Sequence, residues 1–339
     1  MINLGIIGIG RMAKVHIHSI LTGVTGVNIK SGADPFMNRE TEEWLKSKGI
    51  TEIYTDYRKI LSDPEIDAVM ICSSTDTHAA ISMEAIRAGK HTFCEKPIDR
   101  SYEKILPIID LLNERKDVKY QVGFNRRFDH NFRALRSAVD AGKLGELHFV
   151  RICSRDSVTP PESYVKVSGG IFLDMMIHDI DMVRYLSKSD VEEVYAIGNV
   201  MIHQYFADCG DIDTAVVTFK LKNGAMAVID NSRKAVYGYD QRAELHGSKG
   251  SAELYNDFKN TVHVFTADGV HKDGPVWDTL ERYIPAYAAE VASFINAIEQ
   301  DTEPEVTVHD GLQSVLIALA CKKSLLEKRP VKISTIYNT

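Results

Sequence analysis

Along the first 125 residues the apolar positions fall into short runs separated by stretches with helical spacing. Residues 2–9 (INLGIIGI) form an apolar run, followed by a glycine-rich turn, GIGRMA (8–13), and a helical pattern to about residue 21. The alternation continues with a strand at 27–34 (VNIKSGAD), a strand at 66–74 (IDAVMICSS) and a helix at 76–89 closed by Gly89. A strand at 91–97 (HTFCEKP), a helix at 101–116 broken near Pro107 and a strand at 119–125 complete the series. Apolar strands alternating with helices predict a parallel sheet with helices on both faces.

After residue 144 the rhythm changes. A strand at 146–155 is followed by a helix at 170–186. Several strands then run to about residue 266, with glycine-containing turns at KNGA (222–225) and GSKG (247–250). Two helices, 280–299 and 309–328, come last. The expected division is a nucleotide-binding domain at 1–123 and an α+β domain at 124–339.

The segment 169–186, GGIFLDMMIHDIDMVRYL, breaks the usual rule for a buried helix, because an apolar run carries three acids and a histidine. On a helical repeat, with Asp174 at zero, His178 falls about 40° away, Asp181 about 20° and Tyr185 about 20°. These four share one narrow stripe, with Phe172, Leu173, Met176, Ile180 and Val183 opposite. Asp179 lies off the stripe, nearer the apolar side, and a domain or subunit contact is its expected place. By pattern alone the stripe reads first as a solvated face, and second as the wall of a cleft.

Composition narrows the class. A chain of 339 residues with 44% hydrophobic and 26% charged residues is ordinary for a two-domain globular protein. The net charge of −7 argues against a nucleic-acid partner. No apolar run approaches the ~18 residues that would span a bilayer, and the start MINLGIIGIGRMAK lacks the features of a signal peptide. Five scattered cysteines without a CxxC pair fit reduced thiols and a cytoplasmic protein. There is no HExxH or matching Cys/His cluster, so no metal is expected.

The glycine-rich turn matches G-x-G-x-x-G/A, with Gly8, Gly10 and Ala13 in the three places. Gly8 suits a tight turn, Gly10 lets a pyrophosphate approach the backbone, and Ala13 lets helix and strand pack closely. The following helix N-terminus offers free amides and a positive dipole end to phosphate. Gly8, Ile9, Gly10, Arg11 and Met12 are therefore candidate cofactor contacts. Asp34 lies 21 residues past Ala13, close to the ~20 expected of an acid that binds the adenosine ribose. Pro35 and Phe36 follow Asp34, and the first basic residue after it is Arg39, so NAD is expected over NADP. Ser73, Ser74, Thr75 and His78 lie at the carboxyl end of one strand and Glu95, Lys96 and Pro97 at another, where ligands of such sheets bind.

At EKP the chain resembles the glucose–fructose oxidoreductase / inositol dehydrogenase / rhizopine-catabolism family of NAD(P)-dependent oxidoreductases. The matching stretches are GIGRMAKVH (8–16), ICSSTDTHA (71–79), AGKHTFCEKPI (88–98), GFNRRFD (123–129) and GGIFLDMMIHDIDMVRYL (169–186). They continue with 211–233, YGYDQRAELHGSKGSAEL (237–254) and YIPAYAAEVASFINAI (283–298). Within the family the flanking residues are most similar to inositol 2-dehydrogenases. The resemblance implies a Rossmann domain followed by an α+β domain with a large open, mostly antiparallel sheet. It also implies a homo-oligomer, a dimer or tetramer, often packed through that sheet. Lys96 is by this resemblance a catalytic residue and Glu95 a cofactor contact. Asn125 and Arg126 correspond to the family's substrate loop, and Tyr237 to a substrate-side tyrosine. Asp156, at the end of the first strand of the second domain, is a further candidate for substrate hydroxyls; Arg127 and Tyr287 are weaker ones.

Oxidising a secondary alcohol sends a hydride to the nicotinamide and a proton to a base. Imidazole, with an ordinary pKa of ~6.5, makes His178 the expected base. Asp174 lies one helical turn before it, and side chains four apart are neighbours. Asp174, His178 and Lys96 are thus the expected catalytic set. The implied reaction oxidises a ring hydroxyl of myo- or scyllo-inositol to the inosose. Another sugar or cyclic polyol, an NAD-dependent redox-assisted glycosidase and a non-catalytic nucleotide sensor are the alternatives. The stereochemical preference and the path of loop 157–168 stay open.

Overall fold

The computed structural model describes residues 1–337, which fall into two compact units. The first comprises Met1–Phe128 and Ile284–Val315. Its elements run β1 (Ile2–Ile7), α1 (Arg11–Gly23), β2 (Val27–Ala33), α2 (Arg39–Ser47), β3 (Glu52–Tyr54) and α3 (Arg58–Ser62). Then follow β4 (Ala68–Ile71), α4 (Thr75–Arg87), β5 (His91–Glu95), α5 (Leu106–Glu114) and β6 (Tyr120–Gly123). All six strands are parallel, in the order β3-β2-β1-β4-β5-β6. The order reverses direction between β1 and β4, which opens a crevice beyond their carboxyl ends. Every residue of β4 is buried, as a strand covered on both faces requires.

Three details depart from the sequence reading. The segment 39–62 forms α2, β3 and α3, which the apolar pattern does not mark. Pro107 does not break a helix: it sits in the first turn of α5, where a missing N–H costs nothing. Residues 284–315, expected in the second domain, pack with the first. Val291, Phe294 and Ile295 join Leu4, Ile6, Ile17, Met70 and Phe93 in one core. These large apolar groups cover one face of the parallel sheet, which is why the chain returns there.

The second unit comprises Asp129–Tyr283 and the chain from Leu316 on. It holds α6 (His130–Asp140), β7 (Leu147–Arg155), α7 (Glu162–Ser168), α8 (Ile171–Asp174), α9 (Met176–Ser187) and β8 (Val191–Asn199). After α10 (Tyr205–Asp208) come β9 (Thr214–Leu221), β10 (Met226–Ser232), β11 (Asp240–Gly247), β12 (Gly250–Leu254), β13 (His263–Thr266) and β14 (Gly269–Lys272). Helices α11 (Thr279–Glu299) and α12 (Val308–Glu327) run from one unit into the other, and β15 (Val331–Lys332) follows. Seven strands form a sheet in the order β12-β11-β7-β10-β9-β8-β15. Only β7 and β10 pair in parallel, with Ile152 opposite Ile229; the other pairs are antiparallel. In β9 the residues Ala215, Val217, Phe219 and Leu221 point inward and alternate with exposed Val216, Thr218 and Lys220. Helix α9 packs against β7 and β10.

Candidate functional site

In the first unit the turn after β1 is shaped by its glycines. Gly8 has φ +85°, and a Cβ there would lie 2.5 Å from the Ser73 backbone, so the β1–α1 and β4–α4 turns touch. No atom lies within 4 Å of the place a Cβ on Gly10 would take. Gly10 caps α1 without a side-chain bond, and Arg11 and Met12 open the helix. This is the form of a phosphate cradle: open space over free helix amides. Ile9 differs from expectation, since it is buried and its N–H donates to Asp34 Oδ2 at 2.7 Å. Asp34 Oδ1 accepts from the Phe36 N–H at 2.8 Å, so two backbone amides hold the acid beside the glycine turn. A carboxylate has lone pairs beyond those two and can still accept from ribose hydroxyls.

On the β4–α4 side Ser73 Oγ lies 2.7 Å from Thr77 Oγ1, and Ser74 is exposed at the N-cap of α4, with Thr75 its first residue. His78, expected at the cofactor, is 2% exposed and has both ring nitrogens on backbone carbonyls, Pro97 at 2.9 Å and Ser73 at 3.0 Å. It has no polar atom left for a ligand and works as a strut between two turns. Burial opposes its charge, but Cys94 and the two carbonyls outweigh burial and raise its pKa to about 9.

Beyond β5, the Lys96–Pro97 peptide is cis and Lys96 is half-buried. Glu95 Oε2 accepts the Lys96 backbone N–H at 3.1 Å. Asn125 and Arg126 lie in a buried turn directly after β6. Arg127 serves the fold, pairing with Asp310 Oδ1 at 2.9 Å.

In the second unit the polar stripe is present but shorter than the helical arithmetic implies. The expected single helix divides at Met175 (φ −95°, ψ −61°) into α8 and α9. Gly170 has φ +86°, and the Ile171 N–H donates to Asp211 Oδ1 at 3.0 Å, which starts α8. Between Ile171 and Val183 every residue is buried except Asp174 and His178, which are partly exposed. Asp181 is fully buried rather than lining a wet stripe, and the Tyr185 ring lies against the Arg136 guanidinium. Asp179 is also fully buried, and its Oδ2 accepts from Asn231 Nδ2 at 3.0 Å. That bond joins α9 to β10 within this unit, in place of the domain or subunit contact expected for Asp179.

Asp174 is the centre of a group the sequence only partly discloses. Arg233 Nη2 donates to Asp174 Oδ2 at 2.8 Å and Arg233 Nη1 to Asp156 Oδ2 at 3.5 Å. The Tyr164 hydroxyl donates to Asp174 Oδ1 at 2.8 Å. Arg233 is 4% exposed; burial opposes its charge, yet Asp174 and Asp156 hold its pKa above the ordinary value. Tyr164 stands on α7, which gives loop 157–168 its path. Arg233 closes the stretch 211–233 that resembles the family, but the sequence alone gives it no role. Tyr237 stands apart from this group: its hydroxyl donates to Asp240 Oδ2 at 2.6 Å and accepts from Arg155 Nη1 at 3.1 Å. It belongs to an ion network on the open sheet, not to Asp174.

A glycine-turn Rossmann unit with an acid after β2, joined to a unit presenting an aspartate–histidine pair, defines a nicotinamide-dependent oxidoreductase. Residues 2–124 match the oxidoreductase family with an NAD-binding Rossmann fold, and residues 132–253 match the GFO/IDH/MocA C-terminal domain. The chain belongs to the GFO/IDH/MocA oxidoreductase family. It is 47% identical to an uncharacterized oxidoreductase, YrbE, of Bacillus subtilis, over 97% of this chain and 96% of that one. It is 42% identical to the myo-inositol 2-dehydrogenase of Thermotoga maritima, over 98% and 99%. The solved scyllo-inositol dehydrogenase of Lactobacillus casei with bound NAD(H) and scyllo-inositol superimposes with a TM-score of 0.91 at 31% identity, covering 98% of this chain and 99% of that one.

Proposed function

We propose that this oxidoreductase is an NAD-dependent inositol 2-dehydrogenase, oxidising a ring hydroxyl of myo- or scyllo-inositol to the inosose. The observation that carries the reading is the pair Asp174 and His178, the two partly exposed side chains in the otherwise buried stretch from Ile171 to Val183. The names of the relatives point to the same substrate class. Bound NAD supplies the hydride acceptor, its nicotinamide C4. The Lys96 ammonium donates to the reacting oxygen and favours loss of its proton. His178 takes that proton. Asp174, held by Arg233 and Tyr164, accepts from the reacting or neighbouring hydroxyl or orients His178. Asn125, Arg126 and Asp156 grip the other hydroxyls; a polyol calls for such donors and acceptors.

Asp34 supports NAD over NADP, because a carboxylate accepts from ribose hydroxyls and repels a 2′-phosphate. The protein is further read as a cytoplasmic homo-oligomer, a tetramer. No helix among the described residues is long and apolar enough to cross a membrane. All five cysteines are free, as in a reducing compartment. Exposed Ile197, Val216 and Met226 on the seven-stranded sheet suit a subunit contact.

The test is a panel assay that follows reduced nicotinamide. NAD with myo- or scyllo-inositol is expected to turn over, faster than NADP and faster than glucose, xylose or galactose. No turnover with either inositol, or a sugar preferred over both, contradicts the reading.

A further inference from the structure

Beside the peptide that carries Lys96 lies a buried titratable cluster with no part in the reaction just described. It comprises His16 on α1, Glu95 at the end of β5 and Glu290 on α11, exposed by 0%, 7% and 0%. One ligand atom from each lies within 4.8 Å of the others. His16 Nε2 is 2.6 Å from Glu95 Oε1 and 4.0 Å from Glu290 Oε1. Neither oxygen of Glu290, nor His16 Nδ1, has a hydrogen-bond partner among the described residues. The rings of Phe93 and Tyr287 stand edge-on to His16, each at 5.4 Å. Among the described residues, Lys96 and His78 also act on Glu95, Cys72 faces both carboxyls, and Tyr287 is the titratable ring against His16.

Two buried carboxyls this close do not both ionise, because each charge opposes the other in a medium that solvates neither. Their environments decide which keeps the proton. Burial and the charge of Glu95 push Glu290 well above the ordinary carboxyl range. Burial acts on Glu95 too, but the His16 hydrogen bond and charge, with Lys96 and His78, outweigh it and hold Glu95 below that range. The cluster therefore carries one proton on Glu290 and one negative charge on Glu95. With Glu95 ionised, His16 Nε2 is the donor. A metal ion does not suit the cluster as it stands, because a 2.6 Å contact is a hydrogen bond, shorter than the spacing of two ligands around one ion.

We propose that His16 and Glu290 are positioning residues: they confine a single negative charge to Glu95, whose carboxylate anchors the backbone that presents Lys96. This rests on the reading that Lys96 meets the reacting oxygen. Without the His16 donor, Glu95 protonates at higher pH and releases the Lys96 amide.

The test uses the whole enzyme with NAD and inositol. His16→Met is expected to lower kcat about tenfold or more and to move the pH at which the infrared carboxylate band of Glu95 disappears up by about one unit, with the NAD dissociation constant unchanged within about threefold. His16→Gln, whose amide Nε2–H reaches the distal position, restores most of both. Glu290→Gln keeps the neutral charge, leaves kcat within about twofold and removes an infrared carboxylic-acid band present in the wild type at neutral pH. An unmoved Glu95 titration in His16→Met, a moved one in Glu290→Gln, or no carboxylic-acid band in the wild type overturns the proposal. Should His16→Met not fold, the infrared titrations of the other two variants and the carboxylic-acid band decide. If no inositol is turned over, the proposed function fails first, and the infrared band still reports the charge state of the cluster.

Discussion

Residue by residue, the site is held by side chains that do not touch a ligand. His78 joins two turns through both ring nitrogens, and this makes stability depend on pH. Its pKa in the folded protein, about 9, lies above the unfolded value of 6.5. Folding thus favours the protonated ring. The stabilisation is complete below about pH 6.5 and is lost as pH rises through about 9. A shift of this size corresponds to roughly 3 kcal/mol. His78→Gln is expected to flatten the fall in melting temperature between about pH 6.5 and pH 9; an unchanged slope assigns that fall to other groups. Arg233 is the second such residue. A hydrogen bond to a charged group contributes ~1.5–3 kcal/mol, so Arg233→Met is expected to lower kcat/KM for inositol roughly ten- to a hundredfold. Arg233→Lys supplies charge without the planar fork and is expected to recover only part of the loss. Steady-state rates at fixed NAD decide. Glu290 is invisible in the sequence because a lone acid in an amphipathic helix looks solvated. Only folding shows that α11 turns it inward.

Among the elements, the Gly8 turn has the least tolerance. Its φ of +85° opposes a side chain, and so does the Ser73 backbone, 2.5 Å from where a methyl carbon would sit. Gly8→Ala is expected to cost on the order of 1–3 kcal/mol of stability and to weaken NAD binding, as read by thermal melting and calorimetric titration. Retained stability and affinity contradict that assignment. The strand–turn–helix rhythm around this turn is legible because buried strands are apolar along their whole length. Helix α2, RETEEWLKS, is not, because it buries only Leu45 and carries charge on most of its surface. The division of α8 from α9 is also hidden, since the helical pattern runs on through Met175, where the break falls. The stripe of Asp174 and His178 survives that division, whereas Asp181 becomes core.

At the scale of the molecule the chain does not divide at one point. The first unit takes its core in part from Val291, Phe294 and Ile295, far along the sequence. Local periodicity marks a helix there and its apolar side, but not which sheet that side will cover. Phe294 is fully buried, with its ring 5.9 Å from that of Phe93. Phe294→Ala is expected to destabilise by about 3–5 kcal/mol, measured by chemical denaturation. A loss under about 1 kcal/mol would mean the packing there contributes little. The most direct test is the turnover of His178→Ala with NAD and inositol, measured beside its NAD dissociation constant. The account expects kcat to fall roughly 10²- to 10⁴-fold while NAD affinity stays within about threefold of wild type. An unchanged kcat would remove His178 as the base and contradict the account.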